Sequence, residues 1–329
     1  MNVYHWPHDG CPERAPRVIA VGAFDGVHLG HQRVLASLCA EANARSARSC
    51  VVTFEPTPAQ FFSPRPPHNL RLSPGDERLE LLRELCIDEV CVLDFTLSDV
   101  RRLTAAEFLQ CVVRDWLGGV AICGSGSHDL GSDRVPWPQV VEMARHMGIE
   151  PIATDLQTRD GRIISSTEIR ELIWRGRVEE AAQMLGRDYT VTGIVGTGKR
   201  AGARIGFPTA NLDPPADKLV PAEGVYAGWA ASDALEPGPL ELPQGAWPAA
   251  INIGHCPTVG GQTCQTFEVH IIGWSGDLRG RELTVGFIRR LRSERRFAGI
   301  EDLRERIAAD VRMAETIAHE HAAALLRQR

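Results

Sequence analysis

Along the first half of the chain, short apolar runs alternate with stretches whose apolar residues recur three and four apart. The runs Arg17–Ala23, Ser49–Phe54, Glu89–Phe95, Gly119–Cys123 and Glu150–Thr154 predict buried strands. Between them, Gly30–Ala44 places Val34, Leu35, Leu38 and Ala42 on one helical face, and Asp76–Leu85 and Pro138–Met147 also read as helices. Thr104, with Glu107 three residues on, has the form of a capping box opening a helix that runs to Trp116. Strand–helix alternation of this kind predicts an α/β unit: a doubly wound parallel sheet covered on both faces.

Two short helices are expected next, Ser165–Arg175 and Val178–Leu185, the second ending at Gly186, a residue suited to a left-handed C-cap. The texture then changes. From Tyr189 to about Phe287, short β-rich runs are broken by Gly and Pro, a pattern that predicts a small antiparallel β-barrel. Within it, Leu235–Pro248 reads as a long surface loop. An amphipathic helix, Ile300–Arg327, closes the chain. The change of texture near Gly186–Asp188 sets the expected domains at 1–186 and 187–329, and a length of 329 residues suits two cores better than one.

Composition narrows the classes of function. Hydrophobic residues make up 43% and charged residues 24%, as in an ordinary globular protein, and a net charge of −6 provides no global basic field for nucleic acid. The nine cysteines are scattered without a Cys-x-x-Cys pair, which speaks against a disulfide framework and a thiolate zinc site. The first residues carry no basic-then-apolar leader, and no apolar run is long enough to cross a bilayer. A cytoplasmic protein whose partners are small molecules is the expectation, with neither nucleic acid nor membrane among them.

Two segments carry chemistry. In the first, Gly22-Ala23-Phe24-Asp25-Gly26-Val27-His28-Leu29-Gly30-His31 joins a strand to a helix start, a place where backbone N–H groups and the helix end hold phosphate. One histidine near a turn is usually a surface residue. His28 and His31, spaced His-x-Gly-His around Gly30, are instead placed to donate to phosphate oxygens and to developing charge. Downstream, Ile164-Ser165-Ser166-Thr167-Glu168-Ile169-Arg170 reads either as a capped helix start or as an anion site with Arg170 as clamp.

The second segment is Gly206-Phe207-Pro208-Thr209-Ala210-Asn211. The Thr209 hydroxyl and Asn211 amide oxygen are hard ligands suited to Mg²⁺ carried with ATP phosphates, and Pro208 fixes the backbone beside them. Upstream, Gly193–Arg200 imitates a Walker A loop but lacks Ser or Thr after Lys199, so it reads as a glycine-rich flap with Gly198 and Lys199 near phosphate. Glu268 stands among apolar strand neighbours in Thr266–Ile272, where a carboxylate needs a reason. Arg289, Arg290, Arg292, Arg295 and Arg296 form a charge run.

Together these motifs resemble the bifunctional riboflavin kinase/FMN adenylyltransferase family of prokaryotic type, over essentially the whole chain. Val52-Thr53-Phe54-Glu55-Pro56-Thr57-Pro58 also looks like that family's segment after the second strand. The resemblance implies two steps, each using ATP: phosphorylation of riboflavin to FMN in the C-terminal domain, then transfer of AMP to FMN in the N-terminal domain, giving FAD and pyrophosphate. It implies that His28 and His31 stabilise ATP phosphates and that Gly22, Phe24, Asp25, Gly26 and Gly30 shape their cradle. Ser166, Thr167 and Arg170 would hold departing pyrophosphate, Gly206, Pro208, Thr209 and Asn211 MgATP, and Glu268 would accept the proton of the riboflavin 5′-hydroxyl. The family's Gly-x-Asp-Phe-x-Phe-Gly-x-x-Arg stretch reads here as Gly124–Arg134 without its aromatics. Two other readings stay open beside the main one: a riboflavin kinase with a degenerate or repurposed adenylyltransferase domain, and a non-catalytic flavin or nucleotide sensor.

Overall fold

In the computed structural model the apolar runs of the first half lie side by side in one parallel sheet. The structure describes residues 1–10, 12–63, 65–67, 70–126, 129–155, 157–159, 161–197, 202, 205–257, 263–295, 297 and 299–327. The first unit, Met1–Glu168, begins with β1 (Asn2–Trp6), β2 (Arg17–Val21), α1 (Leu29–Ala44), β3 (Arg48–Glu55), α2 (Pro58–Phe62), α3 (Gly75–Glu84) and β4 (Glu89–Asp94). It continues through α4 (Ser98–Arg102), α5 (Ala105–Glu107), β5 (Gly119–Ser125), the hairpin β6 (Asp129–Leu130) and β7 (Val135–Pro136), and α6 (Trp137–His146). Then come β8 (Glu150–Thr154) and a second hairpin, β9 (Thr158–Arg159) and β10 (Arg162–Ile163).

The sheet order is β1-β4-β3-β2-β5-β8, with every neighbouring pair parallel. Alternate strand residues feed opposite faces: Ile19, Cys50, Val52, Cys91 and Leu93 enter one core, and Val18, Ala20, Val51, Val90 and Val92 the other. Both faces are therefore covered, as the alternation demanded, and each fully buried Leu or Val contributes roughly 1.5–3 kcal/mol. The Thr104–Glu107 capping box forms, and α5 runs on as a π-helical stretch, Phe108–Trp116. β1 was not expected from the pattern: with only five residues on the sheet edge, it shows no period. The chain steps outward from β2 through β3 to β4, then returns to place β5 on the other side of β2. The carboxyl end of β2 is thus a topological switch point, where open α/β sheets bind ligands.

The second unit, Ile169–Arg329, takes in most of α7 (Ser166–Trp174), then α8 (Val178–Leu185). It starts earlier than the change of texture at Gly186–Asp188 because these helices are tied to the strands behind them. Ala222 N donates to Ile173 O at 3.3 Å, and Arg289 pairs with Glu179 at 3.0 Å. Gly186 ends α8 at φ 75°, as a left-handed C-cap. The strands are β11 (Tyr189–Gly196), β12 (Ala210–Asp213), β13 (Gly224–Ala231), β14 (Trp247–Pro257), β15 (Thr263–Ile271) and β16 (Glu282–Arg292), followed by α9 (Ile300–Leu326). They close into an antiparallel barrel in the order β11-β12-β15-β14-β13-β16.

Helix α9 lays Ala314, Ile317, Ala318 and Ala322 over Ala227, Trp229 and Ala231 of β13. Asp188 fixes the join, accepting from Trp229 Nε1 at 2.7 Å while His321 Nε2 lies 2.9 Å away. The stretch expected as a surface loop is only partly one. Leu242 and Ala246 are buried in the cluster beneath α9, and Trp247 and Pro248 already belong to β14. The apolar side of a helix needs more cover than β13 alone supplies, and this segment adds it.

Candidate active sites

In the first unit, the loop leaving β2 at the switch point is built from unusual backbone. Phe24 (φ 47°), Gly26 (φ 80°) and Val27 (φ 39°) all sit in the left-handed region, which is costly for a β-branched residue. Gly22 is closely packed: a Cβ there would lie 3.2 Å from the Phe24 ring, tighter than ordinary contact. The loop ends at His28, which caps α1. Its Nδ1 accepts from His31 N at 3.2 Å, so a neutral His28 carries its proton on Nε2. The His28 and His31 rings stack with centroids 3.6 Å apart, and Phe24 lies 5.1 Å from His31. Both histidines are buried. Gly30 matters here because a Cβ would press on the His28 ring at 3.1 Å and on Ile164 O at 3.4 Å.

Asp25 does not face outward. Its carboxylate is fully buried and accepts from Leu72 N at 3.1 Å and Ser73 N at 3.0 Å, with Arg71 Nε 3.5 Å away. Gly26 N donates to Ser73 Oγ at 2.7 Å. These residues of the motif thus anchor the loop to the 71–73 segment, a use that the motif alone did not disclose. Ser166 Oγ donates to Asp25 O at 2.8 Å, which brings the start of α7 to the loop as the sequence suggested. Ser165 caps that helix, accepting from Glu168 N at 3.3 Å, but the Glu168 carboxylate takes Arg162 at 3.1 Å instead of completing a capping box. Thr167 is the next residue of α7, and Arg170 is buried on it. Thr57 is buried and caps α2 through Gln60 N at 3.3 Å.

The Gly124–Arg134 segment has its own packing. Gly124 backs onto the Trp137 ring, which a Cβ would strike, and Asp133 Oδ1 accepts from Ala105 N at 2.9 Å. Ser127 and His128 lie outside the described residues.

In the barrel, the site is a matter of strand register. Glu268 on β15 stands opposite Asn211 of β12 on one side and Asn252 of β14 on the other. Phe267, Val269 and Ile271 point into the barrel, leaving Glu268 and His270 on the outer face of an interior strand. Burial and the nearby Glu294 carboxylate push the Glu268 carboxyl above the usual carboxylate range. Asn252 Nδ2 donates to Glu294 Oε1 at 3.1 Å. His270 Nδ1 lies 2.8 Å from Pro208 O, and Phe207 meets the His270 ring edge-on at 5.6 Å, so β15 fixes the start of the Pro208–Asn211 segment. A Cβ on Gly202 would lie 3.4 Å from Thr209 Oγ1, and Gly206 adopts φ 91°.

The glycine-rich segment read as a flap begins as strand. Gly193–Gly196 belongs to β11, and Gly193 lies so close to Asp213 O that a side chain would clash. Gly198 and Lys199 lie outside the described residues. The arginine run divides its work: Arg289 pairs with Glu179, Arg290 donates to Glu223 O at 2.6 Å, and Arg292 pairs with Asp310 at 2.7 Å. Arg295 covers Phe297, and Arg296 lies outside the described residues. Sequence reasoning missed Asn252 and Glu294; cross-strand register would have exposed Asn252, but no local pattern announces it. Among the described residues no group of three or more His, Cys, Asp or Glu side chains is placed to hold a metal ion. None of their helices is long and apolar enough to cross a membrane.

An α/β unit with a histidine-capped loop at its switch point, joined to a barrel with a carboxylate between two amides, defines a nucleotide-dependent transferase. Comparison with known proteins narrows the class. The FAD synthetase family profile matches residues 11–168 and the riboflavin kinase (flavokinase) profile residues 185–318. The bifunctional riboflavin kinase/FMN adenylyltransferase of Pseudomonas fluorescens is 34% identical over 97% of this chain and 98% of its own length. The protein of the same description from Escherichia coli K12 is 32% identical over 94% of this chain and 93% of its own. The chain belongs to the bifunctional riboflavin kinase/FMN adenylyltransferase family. A crystal structure from Streptococcus pneumoniae, described as a macrolide-efflux protein, shares the fold with a TM-score of 0.82. It is 26% identical, over 96% of this chain and 99% of that one.

Proposed function

We propose that the barrel unit transfers the γ-phosphoryl of ATP to the riboflavin 5′-hydroxyl, and that the sheet unit then joins AMP from ATP to FMN, releasing pyrophosphate. The observation that carries the reading is that the FAD synthetase and riboflavin kinase profiles match successive parts of one chain whose relatives are described as bifunctional. Glu268 is the base in the first step. Its raised proton affinity suits a group that must take a proton from an alcohol, and Asn211 and Asn252 flank it across the strands.

Thr209 and Asn211 are the ligands we assign to Mg²⁺. Their neutral oxygens fit a hard cation that arrives with ATP phosphates and needs few protein carboxylates. When bound, the cation neutralises charge developing on the transferred phosphoryl group. Gly206 and Pro208 set the turn that presents Thr209, and Gly198 and Lys199 remain our candidates for phosphate contact.

In the second step the chain supplies position and electrostatics, with no covalent intermediate. His28, fixed with its proton on Nε2, and His31, stacked on it, stabilise the ATP phosphates. Gly22, Phe24 and Gly30 shape the cradle, Asp25 and Gly26 hold that shape, and Ser166, Thr167 and Arg170 retain pyrophosphate. We assign residues 1–186 to adenylyl transfer and 187–329 to the kinase. The cytoplasm, where ATP is abundant, is the compartment that fits this chemistry.

The test is chromatographic product analysis of the full chain with MgATP, supplied separately with riboflavin and with FMN. FMN followed by FAD from riboflavin, and FAD from FMN, is the expected result. FMN alone from riboflavin, with no FAD from either substrate, would overturn the second assignment.

A further inference from the structure

Behind the strained loop of the first unit lie two buried arginines, bridged by the partly exposed carboxylate of Glu55, that the mechanism above does not use. The guanidiniums of Arg71 and Arg78 have 0% and 1% of their side chains exposed. Glu55 bridges them, taking Arg71 Nη1 on Oε1 and Arg78 Nη2 on Oε2, each at 2.9 Å. Burying cations this fully is costly, and pairing repays it only where the geometry is good. A core needing only stability is served as well by apolar side chains.

The remaining contacts give the cluster a direction. Arg78 Nη1 donates to Ala23 O at 2.9 Å, to Thr53 Oγ1 at 3.0 Å and to Phe54 O at 3.3 Å. Thr53 Oγ1 itself donates to Ala23 O at 3.1 Å. One guanidinium therefore binds the first residues of the loop to the carboxyl end of β3. Arg71 acts at the other end: its Nη2 donates to Ser73 O at 3.3 Å, and Leu72 N and Ser73 N hold the Asp25 carboxylate. The loop is gripped at Ala23 and at Asp25, on either side of Phe24, and Glu55 couples the two grips. Burial and the neighbouring Arg71 lower the Arg78 pKa to about 10, so it stays cationic at neutral pH.

We infer that Arg78, coupled through Glu55 to Arg71, is a positioning residue for adenylyl transfer, holding the loop in the strained form that presents His28 and His31. The inference rests on the assignment of this loop to that step. Arg78 touches no reacting atom: it acts through Ala23 O, and its forked, planar donors are what a lysine cannot reproduce. Misplacing catalytic groups by about an ångström costs on the order of 10²-fold in rate.

The experiment uses the full chain carrying Arg78→Met, Arg78→Lys or Glu55→Gln. It measures FAD formed from FMN and FMN formed from riboflavin in the same preparation, with amide hydrogen exchange over residues 22–28. For Arg78→Met we expect kcat for FAD formation to fall about 10²-fold, with KM for ATP and FMN within about threefold. Riboflavin phosphorylation should be unchanged, and exchange at 22–28 faster while β3 and β4 stay protected. Arg78→Lys should recover about a tenth to a third of the parental kcat. Parental kcat in Arg78→Met would overturn the inference. So would equal loss of protection across the whole sheet in all three variants, which marks a merely structural residue. If the parent protein makes no FAD at all, the functional assignment fails, and the exchange at 22–28 still decides whether Arg78 holds the loop.

Discussion

The two candidate sites of this chain reach their geometry by different means. In the sheet unit, a loop at a switch point is bent through left-handed backbone at Phe24, Gly26 and Val27 and kept there by buried ions behind it. In the barrel unit, Asn211, Glu268 and Asn252 need no unusual backbone, because the register of three neighbouring strands sets them in a row. A strained loop depends on every contact that restrains it, whereas a register-built site depends on the barrel being closed. Damage at a distance should therefore reach the first site more readily than the second.

Substitutions at the two centres should separate the activities. Glu268→Gln should lower riboflavin phosphorylation by up to about 10⁴-fold, the upper range for loss of a general base. ATP binding to the barrel and FAD formation from supplied FMN should hold, which isothermal titration and product chromatography check. His28→Ala and His31→Ala should each lower FAD formation by about 10²–10³-fold, as loss of a preorganised donor does. FMN production should persist in both. A loss of kinase turnover in the histidine variants would break the comparison.

The pH dependence sharpens it. The Glu268 carboxyl is raised by burial and by Glu294, and the base role proposed for it requires the ionised form. The acid limb of the kinase pH profile should lie above the ordinary carboxylate range, and Glu294→Gln should move it downward. The same shift has a stability sign. A carboxyl whose folded pKa exceeds its unfolded value favours folding below the unfolded pKa, and that contribution is lost as pH rises through the folded pKa. The FAD-forming activity should show no matching movement in Glu294→Gln. The smallest effect is structural: Thr104→Ala removes a capping box and should cost about 1 kcal/mol in the sheet unit, leaving both activities intact. Denaturant unfolding read by a probe in that unit checks it.

The parts legible in the sequence were those written in local pattern. The apolar periods of β2 to β5 and α1, the Thr104–Glu107 cap and the Gly186 stop each depend on neighbours within a few residues. The His-x-Gly-His spacing and the Thr-Ala-Asn segment were legible for the same reason. What escaped was long-range. Nothing beside Arg78 in sequence says that its guanidinium ends on Ala23 O, and nothing beside Asn252 says that it faces Glu268. Asp25 shows the limit from the other direction: the motif places it in the phosphate cradle without saying how it serves there, and its carboxylate turns inward onto the backbone of residues 72 and 73. Gly193–Gly196 imitates a phosphate loop but is held as a strand by β12 and β16, whose pairing no local signal records.

The central claim is that one chain carries two sites that work independently. The most direct measurement gives Glu268→Gln only FMN, gives the His28→Ala/His31→Ala protein only riboflavin, and follows the flavins by chromatography with MgATP present. The account predicts FAD from the first at the parental rate and FMN without FAD from the second. Loss of FAD in the first, or of FMN in the second, would contradict it.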